Sequence, residues 1–225
     1  MSLRAIVFDF DGVIANSEPL HFRAYRDVLA DEGITLTEPD YYTQYLGFDD
    51  VGAFDAIGRR HGASWAGERM KVLVARKAVR LEELQRDVSV LFPGAADAIR
   101  RASAAMPIAI ASGARGDEIR RVLVRQHLIA CFTAIVAAED TPASKPAPDP
   151  YLRALALLAP AADGLRPSEC VAIEDSHWGL ESARAAGLHT VAVTNTYPAG
   201  ELAADLTIAS LEDMDLDLLA GLCSR

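Results

Sequence analysis

The stretch IVFDFDGVIANSEPLHF, residues 6–22, decides the fold. It begins as a short apolar run and then places two carboxylates, Asp9 and Asp11, where that run ends. Bounded runs of this kind are typical of strands buried on both faces of a parallel sheet. Alternatively, the DFD stretch is a helix cap or a solvated turn, because Asp is common after a strand.

Four further apolar runs follow along the chain. They are PIAIASG at 107–113, AIVAA at 134–138, CVAIEDS at 170–176 and TVAVTN at 190–195. Helical patterns lie among them, such as GDEIRRVLVRQHL at 116–128 and GLESARAAG at 179–187. Strands that alternate with helices predict an α/β fold, with a Rossmann-like, doubly wound parallel sheet as its core.

Residues 16–90 break this alternation, because they show helical periodicity and no strand pattern. Leu20, Ala24 and Val28 share one face of a predicted helix, and Pro19 suits its first turn. Most of the aromatic residues of the segment are expected to pack its small core. We therefore predict an inserted α-helical cap domain at 16–90, with residues 1–15 and 91–225 forming the core domain.

Composition excludes several classes of partner. The 225-residue chain has 32 acidic and 22 basic residues, a net charge of −10, so it would repel rather than gather nucleic acid. No charge-free apolar run reaches the ~20 residues of a membrane helix, and no secretion signal precedes the first strand. Three cysteines without a C-x-x-C pair favour a reducing compartment. We expect a cytoplasmic protein, monomeric or weakly homo-oligomeric.

Residues that end separate strands of a parallel α/β sheet meet in one crevice. Here they are Asp9, Asp11, Ser112, Gly113, Glu174 and Asp175. Two carboxylates about 4 Å apart repel by about 4 kcal/mol at a surface-like dielectric, so a cation is needed. Oxygen-only ligands select a hard cation, and Mg²⁺ suits a few carboxylates together with water and a substrate phosphate.

Two further features predict an anion-binding site in this crevice. Ser112 and Gly113 stand just before a helix predicted to begin near Asp117, so backbone N–H groups and a hydroxyl can hold an anion. Lys145, one of only three lysines, lies in SKPAPDP, where the prolines restrict the backbone and would aim its side chain. Together these features predict that the crevice holds an anion beside the cation.

Four ordered motifs resemble those of the haloacid dehalogenase superfamily, in its β-phosphoglucomutase and phosphoglycolate phosphatase-like branch with a helical cap. They are FDFDG at 8–12, ASG at 111–113, the lysine of SKPAPDP at 144–150, and EDSHWGLESARAAG at 174–187. The resemblance covers about residues 5–195. It implies a Mg²⁺-dependent phosphatase that hydrolyses small phosphate monoesters through an aspartyl-phosphate.

The resemblance also implies a role for each motif residue. Asp9 would be the nucleophile and Asp11 the general acid and then base, while Ser112 and Lys145 would hold the phosphoryl oxygens. The metal would be bound by Asp9, by the backbone carbonyl of Asp11 and by Asp175, with Glu174 as a further candidate ligand. Candidate contacts to the substrate are Ser17, His21 and Lys77 in the cap, beside Ser112 and Gly113.

Other activities of the superfamily fit less well or stay open. A dehalogenase would not need Asp11, and a phosphonate-cleaving enzyme would need a lysine in residues 16–70, which have none. A sugar-phosphate mutase must hold a second phosphate, yet YLGFDD at 45–50 has Leu46 and Asp50 where the resemblance expects basic residues. Arg115 can compensate, so the mutase remains an alternative. A non-catalytic phosphometabolite-binding protein remains a further one.

Overall fold

The computed structural model describes residues 2–46, 48–86 and 88–224. The chain divides into two compact units. Residues Met1–Asn16 and Val90–Arg225 form the first unit, and Ser17–Ser89 form the second, which we call the helical unit. Gly47 of the YLGFDD stretch lies outside the described residues.

A single parallel sheet forms the centre of the first unit. Its six described strands are β1 (Ala5–Phe8), β2 (Ile108–Ala111), β3 (Ala134–Val136), β4 (Cys170–Glu174), β5 (His189–Val193) and β6 (Leu206–Ile208). The predicted α/β class with a doubly wound parallel sheet is confirmed, and each of the five predicted strands is present. The last strand, β6, was not predicted, since its three residues lack a distinctive apolar run.

The strand order determines at which edge of the sheet the candidate site residues lie. The sheet runs β3-β2-β1-β4-β5-β6, so the chain winds outward from β1 in one direction and from β4 in the other. Phe8 is in register with Ile110 of β2 and Ile173 of β4. The residues that follow these three central strands therefore leave the sheet at the same edge, which is where open α/β sheets bind ligands.

The helical unit has four helices and, within its described residues, no strand. They are α1 (Glu18–Asp31), α2 (Glu38–Gln44), α3 (Asp50–Arg60) and α4 (Gly67–Gln85). The predicted helical insertion after the first strand is thus present. The helices α1 and α4 pack along each other over an aromatic core that contains Tyr25, Tyr41 and Phe54. The prediction that most aromatic residues here are structural is confirmed, whereas Phe48 is exposed.

Helices also flank the sheet of the first unit. They are α5 (Ala95–Ala105), α6 (Gly116–Arg125), α7 (Asp149–Leu158), α8 (His177–Ala185) and α9 (Leu216–Leu222). One face of the sheet packs on α7 through a core that includes Val7, Ala109, Tyr151 and Ala172, all of them inaccessible to solvent. Among the described helices, none combines the length and apolar character needed to cross a bilayer.

Phe54 is a fully buried aromatic residue of the helical unit, so its removal tests the packing of that core. Its ring is fully buried and lies edge-on to Tyr25 and Trp65, with centroids 5.2 and 6.2 Å away. We expect Phe54→Ala to lower the free energy of unfolding of this unit by about 3–5 kcal/mol, because it leaves a cavity. Urea denaturation followed by tryptophan fluorescence measures this loss. A Trp178→Phe background is used so that Trp65 is the only tryptophan.

The matched control is Phe48→Ala, which removes the same atoms from a side chain that is 51% exposed. Its effect should stay within about 0.5 kcal/mol, as is usual for surface substitutions. Equal losses in the two variants would contradict the assignment of Phe54 to the core.

Candidate active site

Three buried carboxylates meet at the switch point between β1 and β4. Asp9 follows β1, Glu174 ends β4 and Asp175 comes next; one oxygen from each lies within 4.8 Å of the others. Asp11 is two residues farther along, in a turn and half-buried, and its carboxylate is not part of this group of described residues. The sequence predicted four acidic residues in one crevice; three of them form this group, and the position of the Asp11 carboxylate in the same crevice remains a prediction.

The Lys145 ammonium neutralises part of this cluster. Its Nζ lies 2.8 Å from Oδ1 of Asp9 and donates a hydrogen bond of 2.6 Å to Oε1 of Glu174. The same ammonium lies over the ring of Tyr151, 5.4 Å from its centroid. The sequence predicted that the proline-rich loop orients the Lys145 side chain. In the structure this side chain bridges two of the predicted acidic residues.

Glu174 is fully buried and both of its oxygens are engaged. Besides Lys145, Oε1 accepts a hydrogen bond from the Tyr151 hydroxyl at 2.6 Å. Oε2 accepts from the backbone N–H of Asp175 at 3.2 Å and from the Ser176 hydroxyl at 3.3 Å. A buried charge persists only when it is paired and hydrogen-bonded, and these four donors meet that condition. Glu174 therefore anchors Lys145.

Asp175 is held from the opposite side by the segment after β5. The Thr196 hydroxyl donates to Oδ2 of Asp175, and Nδ2 of Asn195 donates to the carbonyl of Gly12 at 2.8 Å. Gly12 has a φ of +76°, and a Cβ there would lie 1.9 Å from Asp175 Oδ2. Only glycine allows the first loop to turn this closely over the carboxylate.

Burial and mutual repulsion shift the protonation equilibria of the cluster. Burial, together with the charge of Glu174, raises the pKa of Asp9 well above its ordinary value despite the nearby Lys145. Burial likewise raises the pKa of Asp175 to about 6, although the hydrogen bond from Thr196 opposes this. Burial would lower the pKa of Lys145, yet Asp9 and Glu174 outweigh it and hold that pKa above its ordinary value.

The donor set fits a hard divalent cation. Oδ1 of Asp9 is buried and has no aligned hydrogen-bond donor among the described residues, although Lys145 pairs with it by charge. Carboxylate oxygens without nitrogen or sulfur ligands suit Mg²⁺, which binds through one or two carboxylates and keeps several waters. Asp9 and Asp175 have carboxylate oxygens available to bind a cation. Glu174 is less available, because its carboxylate already accepts hydrogen bonds from four donors.

The second strand end supplies groups for an anion. Ser112 is buried after β2, and its Oγ accepts from the N–H of Ala114 at 3.0 Å, which leaves the hydroxyl proton to be donated. Gly113 is exposed, with open space around its Cα. The first N–H of α6, that of Gly116, already donates to the Glu139 carboxylate at 3.1 Å, so it is not available to a ligand. The Ser112 hydroxyl is therefore available to an anion, whereas this first N–H of the helix is not.

Two of the three candidates in the helical unit form a polar network within it. Lys77 is 2% exposed, its Nζ donates to Oδ1 of Asp50 at 2.7 Å and lies 2.9 Å from Nδ1 of His21. The Tyr25 hydroxyl donates to the same Asp50 oxygen at 2.6 Å. Ser17 precedes α1, and its carbonyl accepts from the N–H groups of Leu20 and His21. Contacts of Ser17, His21 and Lys77 to a substrate remain predictions.

Three residues at the site were not found by sequence reasoning. Thr196 and Asn195 follow β5, so the strand-end argument applied to TVAVTN would have indicated them. Tyr151 was hidden because nothing in the sequence links residue 151 to Glu174; only the docking of α7 on the sheet places its hydroxyl there.

Comparison with known proteins identifies a matching family model and several similar proteins. A model of haloacid dehalogenase-like hydrolases matches residues 6–193. The chain is 34% identical to Protein CbbY of Rhodobacter capsulatus over 94% of this chain and 95% of that protein. It is 30% identical to hexitol phosphatase B of Escherichia coli over 96% of each.

A solved structure supports the same grouping. The crystal structure of CbbY from Rhodobacter sphaeroides in complex with phosphate aligns with a TM-score of 0.78 at 27% identity, covering 95% of this chain and 96% of that one. The family model spans β2, β4 and all but the first residue of β1, and it includes the four acidic residues singled out from the sequence. This chain therefore belongs to the haloacid dehalogenase-like hydrolase family, as its motifs predicted.

Proposed function

We propose that the protein is a Mg²⁺-dependent phosphatase that hydrolyses small phosphate monoesters through a phosphorylated Asp9. The observation that carries the proposal is the buried group of Asp9, Glu174 and Asp175 with the Lys145 ammonium between two of them. The phosphatase names of relatives such as hexitol phosphatase B support the reaction class.

In the first half-reaction, a carboxylate oxygen of Asp9 attacks phosphorus and the bond to the leaving oxygen breaks. Asp11, outside the buried group, gives its proton to that oxygen so that a neutral alcohol departs. The Ser112 hydroxyl and the Lys145 ammonium stabilise the phosphoryl oxygens as charge develops, and losing one such donor typically costs about 3–4 kcal/mol of barrier.

In the second half-reaction, Asp11 takes a proton from water as the water attacks phosphorus, and inorganic phosphate and free Asp9 are released. Glu174 holds Lys145 in place throughout, because Tyr151 and Ser176 fix the carboxylate. Mg²⁺, bound by Asp9, Asp175 and the backbone carbonyl of Asp11, would supply charge neutralisation for the carboxylates and the phosphoryl group. Closure of residues 16–90 over this chemistry, a cytoplasmic location and a monomeric or weakly associated state remain predictions.

The reaction class is tested by phosphate release from a panel of phosphorylated metabolites with Mg²⁺. The same assay includes β-glucose 1-phosphate with catalytic glucose 1,6-bisphosphate and a glucose 6-phosphate readout. We expect phosphate release from one compound class with kcat/KM above ~10⁴ M⁻¹s⁻¹. Glucose 6-phosphate formed without free phosphate would instead identify the mutase.

Substitution of the nucleophile should abolish turnover without loss of the fold. For Asp9→Asn we expect kcat to fall by on the order of 10⁴-fold or more, since no second nucleophile replaces the carboxylate. Far-UV circular dichroism should be unchanged, because the amide removes a buried charge. Asp213→Asn, an exposed control, should keep full activity. Steady-state turnover retained by Asp9→Asn would refute the mechanism.

Magnesium should raise the melting temperature, and more so as pH rises from 5 to 7. The pKa of Asp175 is raised to about 6 and that of Asp9 is also raised, so the metal-free fold favours their protonated forms. Stability of the metal-free protein should therefore fall as pH rises through this range, while the ion binds the deprotonated form. Differential scanning fluorimetry with and without Mg²⁺ measures both trends.

The control for this measurement is Asp175→Asn, which should lose most of the Mg²⁺-dependent shift, whereas Asp213→Asn should retain it. A shift that is absent at saturating Mg²⁺, or equal at pH 5 and pH 7, would count against a metal held by the buried carboxylates.

A further inference from the structure

The turn that follows β5 contacts the acidic site without contributing a carboxylate to it. Asn195 and Thr196 lie in this turn. The Thr196 hydroxyl donates to Oδ2 of Asp175, and Nδ2 of Asn195 donates to the carbonyl oxygen of Gly12 at 2.8 Å. Neither side chain is charged, and neither takes part in the two half-reactions. Two neighbouring residues therefore hold two different parts of the site, the carboxylate after β4 and the loop after β1.

The turn is itself fixed at both ends. Before it, the N–H of Thr194 donates to the carbonyl of Ile208 at 3.2 Å, which extends the pairing of β5 with β6. After it, the ring centroid of Tyr197 lies 4.9 Å from that of His177 in the first turn of α8. Tyr197 also packs against an apolar cluster that includes Leu180 of the same helix. Because the turn is tied to both the sheet and α8, it can hold other groups in place.

Thr196 acts on the orientation of the Asp175 carboxylate. Carboxylates that bind a metal in proteins are commonly hydrogen-bonded by a further residue, which fixes the direction in which they face the ion. The Thr196 hydroxyl supplies such a bond to Asp175, whose side chain is buried. Gly12 limits the same carboxylate from another side, since a Cβ there would lie 1.9 Å from Oδ2 of Asp175. The carboxylate therefore has little freedom to rotate.

Asn195 acts on the loop that carries Asp11. The N–H of Gly12 donates to the carbonyl of Ala15 at 3.0 Å. A trans peptide points its C=O away from its N–H, so this bond sets the direction of the Asp11 carbonyl. Asn195 holds the next peptide unit through the carbonyl of Gly12. Gly12, with a φ of +76°, is a residue type of high backbone freedom, and both peptide units that meet at it are held.

We propose that Asn195 and Thr196 are positioning residues for the metal ion, and that they hold the Asp11 carbonyl and the Asp175 carboxylate in the geometry that Mg²⁺ requires. The proposal rests on the Mg²⁺ site of the proposed phosphatase and adds two residues that touch neither the ion nor the reacting atoms. Mg²⁺ demands nearly ideal octahedral ligands, whereas Ca²⁺ accepts a flexible arrangement. Fixed placement of two ligands should therefore favour Mg²⁺ over Ca²⁺.

The first experiment titrates the intact chain and Thr196→Val with Mg²⁺ and with Ca²⁺ by isothermal titration calorimetry. Valine keeps the shape of threonine and removes the hydroxyl. We expect the Kd for Mg²⁺ to rise by about 10-fold or more, because losing a partner of a metal ligand typically costs about 10–100-fold in metal affinity. The Kd for Ca²⁺ should rise by less than about 3-fold, because this ion tolerates a displaced ligand. Thr196→Ser, which keeps the hydroxyl, should recover most of the Mg²⁺ affinity.

Asn195→Ala should weaken Mg²⁺ binding in the same way, because the peptide unit after Gly12 is released. The matched control is Thr194→Val, which makes the same chemical change as Thr196→Val two residues earlier in the chain. The Thr194 side chain has no hydrogen bond to any other described residue. This control should leave the affinities for both ions unchanged.

Melting and turnover separate positioning from a purely structural role. Thr196 is exposed, so the metal-free melting temperature of Thr196→Val should change little. Its turnover should be low at limiting Mg²⁺ and should recover when Mg²⁺ is raised, with the substrate KM unchanged. A lower metal-free melting temperature together with an unchanged Kd for Mg²⁺ would overturn the proposal.

The outcomes distinguish this proposal from the proposed function. Suppose that Mg²⁺ binding weakens in Thr196→Val and Asn195→Ala, but the intact chain hydrolyses no phosphate monoester. That result would refute the phosphatase and support the positioning role. Hydrolysis by the intact chain with an unchanged Kd for Mg²⁺ in both variants, or with equal losses for Mg²⁺ and Ca²⁺, would overturn the positioning role alone. No Mg²⁺ binding by the intact chain would overturn both.

Discussion

The ammonium of Lys145, shared between Asp9 and Glu174, is the interaction on which the rest of the site depends. Without it, three buried carboxylates would repel one another by about 4 kcal/mol for each close pair at a surface-like dielectric. Lys145 can hold this position because Glu174 is itself fixed by Tyr151, by Ser176 and by the backbone of Asp175. The hydroxyl of Tyr151 comes from α7, so the packing of that helix on the sheet is coupled to the orientation of the lysine.

The topology of the sheet explains why these residues meet. Winding outward from β1 and β4 leaves the two neighbouring strand ends facing one crevice, with Asp9 on one and Glu174 and Asp175 on the other. Gly12 and Gly179 then remove the side chains that would prevent close approach to the carboxylates.

Much of this arrangement could be predicted from the sequence, because strand-end acids and a proline-framed lysine are local patterns. The sheet, the helical insertion and the grouping of Asp9, Glu174 and Asp175 follow from such patterns. The distance of the Asp11 carboxylate from this group could not be derived from the sequence, since it depends on the turn at Gly12. Tyr151 and the Lys77–Asp50 pair were also beyond the sequence, because each joins residues far apart in the chain. Asp50, which looked like a lone acid replacing a basic residue, is in fact the partner of a buried lysine.

The central claim is that Asp9 carries the phosphoryl group and that Asp11 releases it. Both parts are tested at once by rapid acid quench of the Asp11→Asn variant, mixed with a substrate that the intact chain hydrolyses. Peptide mass mapping then locates the phosphoryl group. The account predicts one phosphoryl group on Asp9, formed faster than free phosphate appears, because the amide cannot activate water. Free phosphate released at the normal rate with no modified Asp9 at any time would contradict it.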